Sequence, residues 1–131
     1  MKPLKHGSVN WKTYLPEGGI VDQKGRVTNA GVRLLSSQAD FERNTTVQDL
    51  ARLIGYIQEV LTRAAEPFKE GGEILLQVSL SKDAEPAFEM SFQGDLTTEL
   101  LQRFYDSLSE IDARAEQSTV ALQIHFVIKN A

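Results

Sequence analysis

Ser118 to Lys129, STVALQIHFVIK, is the stretch around which the rest of the chain must be arranged. Val120, Leu122, Ile124, Phe126 and Ile128 alternate with Ala121, Gln123, His125 and Lys129, and a period of two is what a strand with one buried face requires. The stretch reads as a strand near the heart of a sheet. Such a strand says how a chain folds and leaves open what it binds.

Working back from it, Leu96, Leu100, Leu101, Phe104, Tyr105, Leu108 and Ile111 recur at helical spacing, so a helix is expected over 95–115, capped by Asp95 after the stop at Gly94. Glu99 with Arg103 and Glu110 with Arg114 place acid before base at i,i+4 on its exposed side. Before it, Ile74, Leu76, Val78 and Leu80 alternate with polar residues, as do Phe88, Met90 and Phe92, with turn residues between. That is a β-hairpin over 73–93 with one apolar face.

A first amphipathic helix is expected over 45–66, where Val47, Leu50, Ile54, Ile57, Leu61, Ala64 and Phe68 recur at spacings of three and four. Asn44 or Thr45 can cap it, Thr45 with Gln48 resembles a capping box, and Glu59 pairs with Arg63. Pro67 and then Gly71-Gly72 end it. Glu70-Gly71-Gly72 echoes Glu17-Gly18-Gly19. Neither is followed by Gly-Lys-Ser or Gly-Lys-Thr, so both read as turns feeding strands and not as phosphate cradles. Residues 1–10 are expected to be loosely ordered and 11–28 to form a strand and hairpin around Trp11 and Tyr14. Residues 28–43 read mainly as loop, with room for one helical turn and with Val32, Leu34 and Leu35 apolar enough to tuck into a core.

These elements make one domain of the α+β class: a two-layer sandwich whose largely antiparallel sheet carries two long amphipathic helices on one face. A chain of 131 residues with 41% hydrophobic and 24% charged residues is an ordinary globular composition and can bury a real core. No apolar run follows the first lysines, so no secretory leader is expected, and the absence of cysteine suits a cytoplasmic protein. Secretion or a periplasmic location stays open if a leader had been removed. A net charge of −4 with scattered Lys and Arg offers no footprint for nucleic acid, and no segment is expected to enter a membrane.

Chemistry is sparse. The chain has two histidines and no cysteine, so neither a metal site nor a cofactor is expected. Glu89 and His125 could form a base with its orienting acid if their strands were neighbours, whereas a satisfied surface histidine is the plainer reading. The sheet face opposite the helices should display Gln77, Glu89, Gln123 and His125 among Leu75, Ala121 and Val127. Gln77, Glu89, Gln123, His125 and Val127 are therefore the candidate interaction residues, and no catalytic residue is assigned. The leading reading is a non-enzymatic protein-interaction module, of an inhibitor, immunity or chaperone-like kind, that binds another protein or a second copy of itself through this face or a strand edge. The alternative is a small-ligand-binding protein or minor enzyme around Glu89, Gln123 and His125, and a closed pocket there would favour it.

Overall fold

The computed structural model describes residues 25–131. The segment at 1–10, and the strand and hairpin at 11–28 as far as residue 24, lie outside the described residues. The described chain is α+β, with three helices and a four-stranded antiparallel sheet. In chain order the elements are β1 (Val27–Leu34), α1 (Gln38–Asn44), α2 (Val47–Ala65), β2 (Gly72–Ser81), β3 (Ala87–Gly94), α3 (Thr98–Leu108) and β4 (Thr119–Ile128). The sheet order is β1-β4-β2-β3. β4 is thus paired on both sides, antiparallel to β1 and to β2. Consequently β1 and β2 run parallel with β4 between them, and β3 and β4 run parallel with β2 between them, so both helical connections cross over an intervening strand.

The alternation in β4 is satisfied along its length, with Val120, Leu122, Ile124, Phe126 and Ile128 all buried. Ile74, Leu76, Val78 and Leu80 of β2 are buried beside them. They share one core with Leu50, Ile54, Ile57 and Leu61 of α2 and with Leu100, Phe104 and Leu108 of α3.

Residues 28–43 correct the expectation of a loop. Most of β1 and all but one residue of α1 fall there, and the strand was hidden by a bulge between Asn29 and Gly31. Val27 and Asn29 pair with Ile128 and Phe126, but after the bulge the core-facing positions are Val32 and Leu34, so the period of two is broken within the strand. Of Val32, Leu34 and Leu35, all expected to tuck into the core, Val32 is buried, whereas Leu34, at the end of the edge strand, and Leu35 are exposed.

α3 is also shorter than 95–115. Ile111 donates to the Leu108 carbonyl and Glu110 to that of Ser107, an i,i−3 tightening that ends the helix. The apolar spacing runs past that end because Ile111 and Ala115 remain buried on an irregular segment, whose Ala115 and Glu116 amides bond to Ser81 and Asn44. With the helix over, Arg114 pairs with Asp112 at 2.7 Å. The N-cap is Thr97, whose hydroxyl accepts from the Leu100 amide at 3.1 Å, and Asp95 instead donates its amide to Gly71. Thr46, not Thr45, caps α2 by accepting from Asp49. Glu59 does bond Arg63, and this raises the guanidinium pKa further above its ordinary value.

Asn44 holds the C-terminal end of α1 against the start of β4. Its side-chain oxygen accepts from the amides of Gln117 and Ser118 at 2.9 and 2.7 Å, and its NH2 donates to the Asp40 carbonyl at 2.7 Å. At the other end of β4, the Arg26 guanidinium donates to the carbonyls of Ala65, Phe68, Glu70 and Lys129 and so caps α2.

Gly71-Gly72 has a packing role that the turn reading did not supply. A Cβ on Gly72 would lie 2.4 Å from the Gln93 carbonyl oxygen. Gly94 opposite it has φ of 99°, which a residue with a Cβ rarely adopts.

Two substitutions test this assignment. Phe126→Asp should abolish cooperative folding, because an unpaired buried charge costs several kcal/mol against a total stability of about 5–15 kcal/mol. An unchanged thermal melt would place Phe126 outside the core. Thr97→Ala should cost about 1 kcal/mol in urea melts while Asp95→Ala costs less, and the reverse order would restore Asp95 as the cap.

Candidate functional site

The sheet face opposite the core is built by the odd-numbered residues of β2, β3 and β4. Register sets them in rows. Arg33, Gln123, Gln77 and Glu89 form one row across all four strands. The next contains Gly31, His125, Leu75 and Ser91, and the one beyond it Thr28, Val127, Glu73 and Gln93. Gln77, Glu89, Gln123, His125 and Val127 therefore share one face, and direct cross-strand pairing joins Gln77 to both Gln123 and Glu89.

The suggested dyad of Glu89 and His125 is not formed. β2 separates β3 from β4, so the two residues sit on strands that are not neighbours. His125 instead meets Glu73 of β2, with Nε2 2.7 Å from Oε1. Glu73 stands opposite Val127, and His125 reaches it along the diagonal, which long side chains can span. The second oxygen of Glu73 accepts from Gln93 Nε2 at 2.6 Å, which completes a polar chain across β4, β2 and β3. Glu73 carries the odd-numbered signature of this face in the sequence, but its partner depends on strand order.

His125 is also not a surface histidine, since only 4% of the residue is exposed. The imidazole is thus buried against a carboxylate and has little open surface of its own. Glu89, by contrast, is exposed, and Gln77, Gln123 and Val127 are half-buried.

Open grooves among the described residues lie elsewhere. One of about 400 Å³ runs between the α1–α2 junction and Ala113–Arg114, one of about 340 Å³ separates α2 from α3, and one of about 280 Å³ lies between the β2–β3 turn and the end of α3. None is lined by the five candidate residues. Among the described residues no group of three or more His, Asp or Glu is placed to hold a metal ion. No described helix is long and apolar enough to cross a membrane. Comparisons with protein-family models, with curated proteins and with solved structures find no match.

His125→Ala should destabilise the fold by about 1–3 kcal/mol, because it removes a buried, hydrogen-bonded side chain. Urea melts check this, and a loss within error would return His125 to the status of a surface residue.

Proposed function

We propose that this chain is a non-enzymatic protein-interaction module, a two-layer sandwich with α2 and α3 over one face of the sheet and a partner protein on the other. The observation that carries the reading is the row Arg33, Gln123, Gln77 and Glu89, which crosses the whole described sheet on the face away from the core. Its central glutamines both donate and accept hydrogen bonds, its ends carry opposite charges, and Leu75, Ala121 and Val127 lie alongside. Half-buried polar groups mixed with apolar ones suit a partly wet protein interface. The net charge of −4 favours a basic partner surface. An inhibitor, immunity or chaperone-like role fits such a module.

The rival reading, a small-ligand site around Glu89, Gln123 and His125, loses the acid–base pair of Glu89 and His125, whose strands are not neighbours. The test is capture of a partner from the native host by the wild-type chain and by a variant carrying Gln123→Lys and Val127→Lys. These side chains point away from the core, so the circular dichroism melt should stay close to wild type while retention of the partner falls at least tenfold, about 1.4 kcal/mol. Undiminished retention would remove the open face as the binding surface.

A further inference from the structure

We infer that the outer edge of β3 pairs antiparallel with the same edge of a second copy, joining two four-stranded sheets into one; the inference rests on reading the chain as an interaction module and names one partner. The phase of the β2–β3 ladder identifies the groups that are free to pair. Gly72 stands opposite Gly94, so Gly71 and Asp95 are the next pair, and the Asp95 amide donates to the Gly71 carbonyl at 3.1 Å. In an antiparallel ladder, residues bonded to the neighbour alternate with residues whose backbone groups point away from it. Counting back in twos, Gln93, Ser91, Glu89 and Ala87 bond to β2, while Phe92, Met90 and Phe88 turn both N–H and C=O outward. No described strand lies on that side.

The two flanking strands of the described sheet differ in a telling way. β1 has a bulge, and it carries Arg33. β3, AFEMSFQG, is regular in register, lacks Pro and Lys, and has Glu89 as its only charge. Sheet edges that avoid other chains are normally blunted by such devices, and β3 has almost none of them.

The strand is also complementary to itself. A two-fold axis at Met90 sets Met90 against its counterpart, Phe88 against the second copy's Phe92, and Glu89 against the second copy's Ser91. No like charges meet, and the outward groups of Phe88, Met90 and Phe92 are all bonded. The neighbouring register, with the axis at Ser91, would require Gly94 to pair, and its φ of 99° takes it out of the extended conformation. On the helix side, the 41% exposed Phe92 gains a cross-strand aromatic neighbour. Tyr105, 46% exposed, lines with Phe88 the 280 Å³ groove beside this edge, where the second copy's Phe92 would lie.

The test uses the full chain in sedimentation at about 100 µM, well above a micromolar Kd. The wild type should be dimeric. Phe92→Lys, an edge lysine at an exposed position, should raise the dimer Kd at least tenfold while the melt of dilute protein stays unchanged. Because the chain has no cysteine, Met90→Cys supplies one thiol per copy at the two-fold axis. Bonded antiparallel partners have Cα atoms about 5.5 Å apart, within disulfide range, so glutathione disulfide should convert this variant to a covalent dimer. A wild type that stays monomeric overturns the inference, as does a dimer that survives Phe92→Lys. A dimer lost with Gln123→Lys and Val127→Lys but kept with Phe92→Lys moves self-association to the open face and also overturns it. An intact β3 dimer that retains no other protein supports the inference and counts against the open-face reading alone.

Discussion

The double pairing of β4 is the constraint on which the described fold depends. A strand bonded on both sides cannot slip by one residue without carrying all of its even-numbered side chains out of the core, and five of them are buried there. β1, first of the described strands, must therefore wait for β4, last in the chain, before its pairing exists. The hairpin of β2 and β3 is local and needs no such delay, but its place in the sheet is set by β4 as well. Long-range contacts of this kind make the ends of β4 critical, because each must be held without help from a tight turn.

Two side chains supply that hold. Asn44 satisfies the amides leading into β4, and Arg26 gathers the carbonyls where α2 ends together with that of Lys129, just beyond β4. Both act on backbone groups that would otherwise be left unpaired at element ends, where a polar side chain contributes most. Together they tie the helical connections to the central strand.

That face has two parts with different chemistry. Around His125, Glu73 and Gln93 the polar groups already satisfy one another, so this corner serves the sheet itself. Gln123, Gln77 and Glu89 stand side by side on three adjacent strands, with the two glutamines half-buried and Glu89 exposed. The division places His125 in the hydrogen-bonded network and not in the row of Gln123, Gln77 and Glu89.

Much of this was legible in residues alone. The period of two in β2, β3 and β4, the period near three and a half in α2 and α3, and the shared face of Gln77, Glu89, Gln123, His125 and Val127 all follow from local alternation, because side-chain direction is set by backbone geometry. The antiparallel α+β class followed from the order of those patterns. What lay beyond the sequence depended on contacts between distant segments. The bulge in β1 erased its alternation, the burial of Ile111 and Ala115 carried a helical pattern past the helix, and Thr97 caps α3 in place of Asp95 because the helix begins at Thr98, which makes Thr97 its N-cap residue. Strand order decided that His125 faces Glu73 and not Glu89. Alternation determines which side of a strand a residue occupies; only tertiary pairing decides which residue lies beside it, because register and neighbour order are properties of two chain segments and are written in neither one alone.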